Sequence, residues 1–138
     1  ISIAMNKRKF SLGRKYCDFN GHISEAGYLT VANTAIWNTF DAVGLSKIFS
    51  KENTGPIIFD THMYFNAEVM EGEEVIVHFR AKISSDNKKI FREIDIIKKN
   101  DQCAVKIISN GAFLDLQKRK VISASDNIIA KFKKYLSE

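Results

Sequence analysis

Residues 18–44 read DFNGHISEAGYLTVANTAIWNTFDAVG and combine a polar turn with the strongest helical pattern in the chain. In the second part of this stretch, apolar side chains recur at spacings of three and four, which predicts a long helix over residues 24–44 with one apolar face. Ser24 is a suitable N-cap, and Glu25 places a negative charge in the first turn. Gly44 is a suitable C-terminal stop, because glycine readily adopts the left-handed conformation that ends many helices.

The segments on either side of this helix alternate apolar and polar residues, as β-strands do. The predicted strands cover residues 7–16, 57–68, 75–83, 89–98 and 102–116, with short helices at 45–50 and 130–136. Tight turns separate the last four strands, so we expect them to be largely antiparallel. A helix with one apolar face needs a sheet to cover it. The sequence therefore predicts one α+β domain over residues 1–138, with a curved antiparallel sheet of about five strands wrapped around one long central helix.

The composition is that of an ordinary globular protein, with 45% hydrophobic and 27% charged residues among 138. No segment approaches the roughly 18 apolar residues of a membrane helix, and residues 1–5 are too short for a signal-peptide core. Cys17 and Cys103 are far apart in sequence and are expected to be free thiols in a reducing compartment. We therefore expect a cytoplasmic protein without membrane insertion.

Several functional classes lack their sequence signatures. The three histidines, His22, His62 and His78, have no metal-ligand spacing, so no metal site is predicted. A Gly-x-Ser-x-Gly elbow and a Gly-rich phosphate loop are both missing. The 21 Lys and Arg residues against 16 Asp and Glu residues give a net charge of +5, which suits an anionic partner or simply a solvated surface. No nucleic-acid partner is expected, because no known nucleic-acid-binding motif accompanies the charge.

The polar turn before the helix carries residues that are able to do chemistry. Asp18, Asn20 and His22 alternate there, next to the free N–H groups and partial positive charge of a helix N-terminus. Such a terminus can stabilise an oxyanion, a carboxylate can act as base or nucleophile, and an imidazole can move a proton. Gly21 lets the backbone approach a ligand closely. The set suits hydrolysis of an activated carbonyl, although the same residue types also occur in purely structural turns.

Two blocks of sequence resemble a known family. Residues 18–23 (DFNGHI), followed by Tyr28, resemble the Asp-x-x-Gly-His-Val/Ile pattern of hotdog-fold thioesterases of the 4-hydroxybenzoyl-CoA thioesterase type. The Asn-x-His part is also similar to that of the related plant acyl-ACP thioesterases. Residues 24–25 (SE) depart from the two asparagines of many members. The second block, residues 61–73 (THMYFNAEVMEGE), resembles a subgroup that includes betainyl-CoA thioesterases.

The resemblance implies an acyl-CoA thioesterase that needs no cofactor. Asp18 would attack the thioester or activate water, and Asn20 and His22 would orient the carbonyl or the water. Backbone amides near residues 21–24 would bind the thioester oxygen, and His62 would approach the site from the partner's strand. Substrate contacts are expected from residues beside the turn and from basic residues near strand ends, where they could hold the phosphates of coenzyme A. The candidates are Gly21, Ile23, Tyr28, Lys88, Lys89 and Arg119, with Arg92 and Lys118 as further basic residues and Trp37, Phe40 and Met63 as residues of either the acyl pocket or the core.

Hotdog thioesterases are dimers or dimers of dimers with sites at the interface, so the resemblance implies a homodimer or a dimer of dimers here. Glu68, at the end of a strand, is expected to be solvated. Two other functions stay open at this point. One is a hydratase or dehydratase acting on acyl thioesters, with Glu25 as its acid. The other is a non-catalytic protein that binds acyl-CoA.

Overall fold

The computed structural model describes residues 4–138, so residues 1–3 of the predicted domain lie outside the described residues. Helix α1 spans Glu25–Val43 and confirms the long helix. Ser24 Oγ accepts a hydrogen bond from the N–H of Gly27, and Gly44 ends the helix with a φ of 86°. Both helix ends therefore depend on the residues that the sequence indicated. Helix α2 follows directly at Leu45–Glu52.

Six antiparallel strands form one sheet whose spatial order is β1-β3-β4-β5-β2, with β6 paired to the end of β5. The strands are β1 Lys7–Ser11, β2 Thr54–Phe65, β3 Glu74–Ile83, β4 Lys89–Lys98, β5 Cys103–Asp115 and β6 Lys120–Ile122. The predicted α+β class and antiparallel sheet are confirmed. The count of about five strands misses only the three-residue β6, which is too short to show a pattern.

Two strands differ from the prediction by three or more residues at an end, and β2 covers Thr54–Phe65 instead of residues 57–68. The strand predicted over residues 7–16 stops at Ser11, because Leu12 turns inward to full burial and a 3-10 turn follows at Arg14–Tyr16. The alternating pattern of apolar and polar residues nevertheless continues to Tyr16, because Leu12 and Tyr16 after the strand also pack against the core. Strand β2 begins before Pro56, which pairs with Phe113 on β5. A proline is tolerated there because β2 is an edge strand.

The C-terminal helix is longer than predicted. Helix α3 spans Asp126–Tyr135, and Ser125 Oγ accepts a hydrogen bond from the N–H of Ile128 at its start. The prediction over residues 130–136 missed this first turn, although its buried Ile128 and Ile129 share one apolar helical face with Phe132. Phe132 of α3 reaches the centre of the core, where it packs 5.9 Å from Phe40.

The core lies between α1 and the inner face of the sheet. Phe40 is 1% exposed and also contacts Phe49 and Phe79, with ring centroids 5.6 and 5.8 Å apart. Phe40 is therefore a core residue. Trp37 lies at the margin, where it is 48% exposed and packs edge-on against Phe40.

The two edges of the sheet are covered differently. Where β1 ends, the N–H groups of Phe79 and Ala81 on β3 donate to the carbonyls of Asn6 and Leu136, so this part of β3 is covered. The edge strand β1 itself has only five residues. Strand β2 has twelve residues and, among residues 4–138, pairs with β5 alone. It also exposes large apolar side chains: Phe59, Tyr64 and Phe65. Long apolar edges are uncommon on proteins that remain single chains, because they pair readily with another strand.

Candidate active site

The turn at residues 18–22 is closed by backbone hydrogen bonds. The N–H of Asp18 donates to the carbonyl of His22 at 3.0 Å, and the N–H of Gly21 donates to the carbonyl of Asp18 at 3.1 Å. Gly21 has a φ of 80°, and a Cβ added there would meet no atom within 4 Å. This glycine is therefore required by the backbone conformation, since most L-residues disfavour positive φ. Its own N–H is used inside the turn.

The first turn of α1 packs unusually close to the segment before it. A Cβ added to Gly27 would lie 2.3 Å from the carbonyl oxygen of Tyr16. The N–H of Ser24 donates to that same carbonyl at 2.8 Å. Only glycine allows this approach, which fixes the start of the helix beside Asp18. The sequence analysis did not single out Gly27, because the contact joins residues eleven positions apart.

His22 lies between two carboxylates. Its Nε2 is 3.3 Å from Asp18 Oδ2, and its Nδ1 is 2.8 Å from Glu68 Oε1. The hydrogen bond with Glu68 is the main cause that raises the pKa of His22 above its ordinary value; desolvation opposes it, and the negative charges of Asp18 and Glu68 add to the rise. The imidazole therefore keeps its proton to higher pH than a free histidine does. Asp18 and His22 come together as the sequence predicts, and Glu68 is the member of the cluster that the sequence analysis undervalued.

Asn20 contributes through its backbone. Its N–H donates to Asp18 Oδ1 at 2.8 Å, which leaves Asp18 Oδ2 for His22. The side-chain amide of Asn20 has no hydrogen-bond partner among residues 4–138, so its predicted role with substrate stays a prediction. Phe19, next to it, is fully exposed.

A cavity of about 410 Å³ opens beside this cluster. It is lined by the following residues: Asp18, His22, Ile23, Glu25, Tyr28, Phe65, Asn66, Ala67 and Glu68. Tyr28 is 4% exposed, its Oη accepts a hydrogen bond from the N–H of Val69 at 3.1 Å, and burial raises its pKa. Ile23 is also buried, and its N–H donates to the carbonyl of Val69. Tyr28 and Ile23, both predicted to contact the substrate, therefore line the cavity. Their hydrogen bonds with Val69 also hold the loop before β3 against α1.

Most backbone N–H groups of residues 21–24 already donate within the fold, so few of them are free to bind a substrate oxygen. Within residues 21–24, the N–H groups of Gly21, Ile23 and Ser24 donate to carbonyls of the fold itself. The next two N–H groups, those of Glu25 and Ala26, belong to the first turn of α1, where no intrahelical acceptor exists. Neither has a partner among residues 4–138. Of the N–H groups in residues 21–24, only that of His22 has no acceptor among residues 4–138. The oxyanion site near residues 21–24 stays a prediction, and the N–H groups of Glu25 and Ala26 are further candidates for it.

The backbone at Glu68 is held by its neighbours. Lys98 Nζ donates to the Glu68 carbonyl at 2.7 Å and forms an ion pair with Glu73 at 3.4 Å. Glu73 in turn accepts from the N–H of Met70. These contacts close the loop between β2 and β3 and present Glu68 to His22. The signal for Glu68 in sequence is only its place in the second block of resemblance.

The remaining predicted residues lie elsewhere. His62 is exposed on β2, 3.9 Å from Asp60, and does not line the cavity. Lys88 lies in the turn between β3 and β4, Lys89 is the first residue of β4, and Arg119 lies between β5 and β6. These residues lie at the end of the sheet opposite to Glu68. Along β4, Lys89 is nine residues or about 30 Å from Lys98, which contacts Glu68. Within one chain the structure does not bring these four residues to Asp18.

Comparison with known proteins identifies the family. Residues 13–132 match the Thioesterase-like superfamily, and the chain belongs to it. No protein with a curated description matches the chain. Within residues 4–138, no helix is both long enough and apolar enough to cross a membrane. The same part of the chain contains no cluster of three or more side chains suited to hold a metal ion.

Solved structures share the fold at low sequence identity. A protein from Lactobacillus plantarum, provisionally assigned as an oleoyl thioesterase, matches 96% of the chain with a TM-score of 0.86 and 17% identity; the chain spans 51% of that protein. A hypothetical protein from Staphylococcus aureus, solved in complex with CoA, matches 96% of the chain and 86% of its own length (TM-score 0.83, 15% identity). A 1,4-dihydroxy-2-naphthoyl-CoA thioesterase from Synechocystis matches 92% of the chain and 94% of its own length (TM-score 0.80, 13% identity). These likenesses confirm the predicted hotdog fold.

Proposed function

We propose that the protein is an acyl-CoA thioesterase that hydrolyses a small or medium acyl-CoA to the free acid and CoA. The observation that carries this proposal is His22, held between Asp18 and Glu68 at the mouth of a cavity beside the start of α1. The family supports a thioester hydrolase. The relatives in complex with CoA or named for a CoA substrate support CoA as the carrier. The free thiols Cys17 and Cys103 support the proposed cytoplasmic location.

In the proposed reaction the Asp18 carboxylate adds to the thioester carbonyl or takes a proton from a water molecule that adds. The oxyanion that forms accepts hydrogen bonds from the N–H groups of Glu25 and Ala26. When it collapses, the carbon–sulfur bond breaks and CoA leaves as a thiolate that takes up a proton. His22 orients Asp18 Oδ2 and is itself oriented by Glu68. If Asp18 is the nucleophile, water then hydrolyses the mixed anhydride and regenerates the carboxylate.

The site is proposed to be complete only in a homodimer. Two β2 strands that pair edge to edge in antiparallel fashion would place the far end of one sheet beside the Asp18 turn of the other. Lys88, Lys89 and Arg119 of the second subunit would then be available to bind the phosphates of CoA, and His62 would lie close to the joined edges. The open edge of β2, with its exposed Phe59 and Tyr64, supports this arrangement.

The activity is tested with a panel of acyl-CoAs, short, branched, long and aromatic, assayed by release of free thiol. We expect turnover of at least one member and none by the Asp18→Ala variant. A parallel assay with an enoyl-CoA follows loss of its conjugated absorbance. Hydration of the enoyl-CoA without thiol release would contradict the proposal in favour of a hydratase, and binding without either reaction would leave a non-catalytic acyl-CoA-binding protein.

The shared site is tested by mixing two defective variants. Asp18→Asn lacks the reactive carboxylate, and Lys88→Ala/Lys89→Ala/Arg119→Ala lacks the proposed phosphate ligands. A mixed dimer contains one intact site if these groups come from different subunits, so exchange of subunits is expected to restore part of the activity. No restoration, despite mixed dimers detected by native mass spectrometry, would show that the basic residues do not act across the interface.

A further inference from the structure

Arg92 lies on the inner face of the sheet, although the sequence analysis named it among the basic residues near strand ends that could hold the phosphates of coenzyme A. It is 8% exposed. Its neighbours on the same face of β4, Ile90 and Ile94, are each 1% exposed and belong to the core. The alternation of β4 therefore points the guanidinium into the space that α1 covers, away from solvent.

The charge of Arg92 has no counterion within the described part of the chain. No carboxylate among residues 4–138 lies within 4 Å of it, and its Nε is buried without a hydrogen-bond partner. Its one hydrogen bond among those residues is long, 3.4 Å from Nη2 to Ser109 Oγ. Burial lowers its pKa to about 10, so Arg92 stays protonated at neutral pH. A buried and unpaired cation is costly, and such groups usually have an anion that completes them.

Arg80 shows what the same residue type does when it is paired. It lies on β3 and points to the outer face, where it contacts Asp95 at 2.6 Å and Glu93 at 3.2 Å. Lys106 contacts the same two carboxylates, at 2.7 and 2.6 Å. Two cations thus meet two anions on the outer face, whereas Arg92 on the inner face meets none among residues 4–138.

A row of hydroxyl groups leads from Arg92 to the open edge of the sheet. Ser109 on β5 pairs in register with Arg92 on one side and with Thr61 of β2 on the other. Ser109 Oγ and Thr61 Oγ1 are 3.0 Å apart, and Thr61 is exposed. The row therefore reaches the part of the inner face of β2 that α1 leaves open.

The same strip of β2 connects this row to the active-site cavity. Thr61, Met63 and Phe65 alternate along β2, and each pairs with a buried residue of β5, so all three lie on the inner face. Phe65 lines the cavity and lies 6.0 Å from the ring of Tyr28. From Phe65 to Thr61 the strand covers four residues, or about 13 Å. An acyl chain that starts at Asp18 and follows this apolar strip would end at Thr61, Ser109 and Arg92.

We propose that Arg92, with Ser109 and Thr61, binds a carboxylate at the far end of the acyl chain, so that the preferred substrates are CoA monothioesters of dicarboxylic acids. This inference rests on the proposed function for the reaction and specifies its substrate class. The guanidinium supplies the charge and a planar set of donors that fits a carboxylate, and the two hydroxyls supply further donors. An acyl chain that ends in a methyl group leaves the guanidinium of Arg92 buried without a counterion, which disfavours its binding.

The test uses CoA thioesters matched in length, namely octanoyl, decanoyl and dodecanoyl against octanedioyl, decanedioyl and dodecanedioyl. We expect kcat/KM to favour the dioic member at one length by roughly 10- to 100-fold, the value of a hydrogen-bonded charge. Arg92→Met should reduce this ratio towards one, Arg92→Lys should retain part of it, and the control Arg80→Met should leave it unchanged. Binding of the same pairs to the Asp18→Asn variant, with and without Arg92→Met, is measured by calorimetry.

The outcomes separate the two proposals. Equal or better turnover of the monocarboxylic thioester at every length overturns the dicarboxylic inference and leaves the thioesterase intact. Absence of turnover with every thioester contradicts the proposed function. The calorimetric comparison then tests, independently of turnover, whether Arg92 binds the terminal carboxylate. Unfolding by urea gives a third readout: Arg92→Met should be at least as stable as wild type, because it removes a buried unpaired charge. A large loss of stability or of the dimer in Arg92→Met would instead assign Arg92 to subunit contact and overturn the inference.

Discussion

Two turns at opposite ends of the sheet use the same local hydrogen bond. In the turn before α1, Asp18 Oδ1 accepts from the N–H of Asn20 at 2.8 Å. In the turn after β5, Asp115 Oδ1 accepts from the N–H groups of Gln117 and Lys118, both at 2.9 Å. These bonds, that of Lys118 first, lower the pKa of Asp115. Both aspartates therefore stabilise a turn in the way that short polar side chains commonly do.

The two turns differ in what lies beyond the local backbone. Asp18 has a second oxygen that meets His22, and His22 meets Glu68, which is 46 residues further along the chain. Asp115 has no ion-pair partner among the described residues of the chain. The proposed catalytic aspartate therefore differs from the structural one by a long-range contact. Local sequence alone does not separate the two aspartates.

Exchange of each aspartate for asparagine is the strongest test of this contrast. Asparagine keeps the oxygen that accepts the backbone hydrogen bond, so both turns should persist. Asp18→Asn should reduce kcat for the best acyl-CoA by on the order of 10²- to 10⁴-fold, because it removes the reactive carboxylate. Asp115→Asn should leave kcat within about twofold of wild type. Thiol release is measured on folded protein. A similar loss of kcat in both variants would contradict the proposed difference between Asp18 and Asp115.

Removal of the long-range partner should have the next largest effect. Glu68→Gln keeps the size of the side chain but removes the charge that faces His22 Nδ1. The pKa of His22, followed by NMR titration, should fall towards its ordinary value, and kcat should drop roughly 10- to 100-fold because His22 and Asp18 lose their orientation. Glu71→Gln, on the same loop but paired with the exposed Arg14, is the matched control. An unchanged His22 pKa would mean that Glu68 does not act through the imidazole.

The same variant has a consequence for stability with a definite sign. Because the folded state raises the pKa of His22, the stabilisation it supplies is complete below the unfolded pKa of about 6.5 and is lost as pH rises through the folded value. Wild-type protein should therefore lose more unfolding free energy than Glu68→Gln as pH increases above about 6.5. Urea midpoints at several pH values measure this slope, and parallel slopes in the two proteins would be inconsistent with it.

The close contact between Gly27 and the carbonyl oxygen of Tyr16 predicts an effect on stability. Gly27→Ala places a methyl group 2.3 Å from the carbonyl oxygen of Tyr16, so the start of α1 must move. We expect a loss of about 1–3 kcal/mol in urea unfolding, as for other overpacked sites. Gly13→Ala is the control, because a Cβ there meets no atom within 4 Å. Equal stability of the two variants would show that α1 does not depend on this contact.

The smallest effect belongs to the Asp115 turn. The lowered pKa of Asp115 means that its stabilisation is present above the unfolded pKa, about 3.9, and is lost as pH falls through the lower folded value. Wild-type protein should therefore lose slightly more stability than Asp115→Asn between about pH 5 and pH 3. Urea midpoints at the two ends of this range measure it. A steeper acid loss in the variant would contradict the assignment.

Most of the scaffold could be predicted from the sequence because its signals are local. Ser24, Gly44 and the spacing of the apolar residues between them define α1, and alternation defines β3 and β4. The Asp18–His22 pair was also accessible, since both residues belong to one turn. Glu68, Gly27 and Arg92 were not, because each depends on which atoms face it across the fold. The strand pattern puts Arg92 on the same face as Ile90 and Ile94, yet its charge led the sequence analysis to group it with the candidate ligands of the coenzyme A phosphates.

The open edge of β2 has a consequence for how the protein is made. A newly folded subunit presents twelve residues of strand with one unpaired side and with Phe59, Tyr64 and Phe65 exposed. Any extended apolar segment of another chain can add to such an edge as readily as a correct partner can. If β2 pairs with a second copy of the chain as proposed, that pairing competes with aggregation, and both processes become faster as the protein becomes more concentrated. Slow refolding at low concentration, with gradual return to high concentration, should recover more active protein than rapid refolding of a concentrated sample.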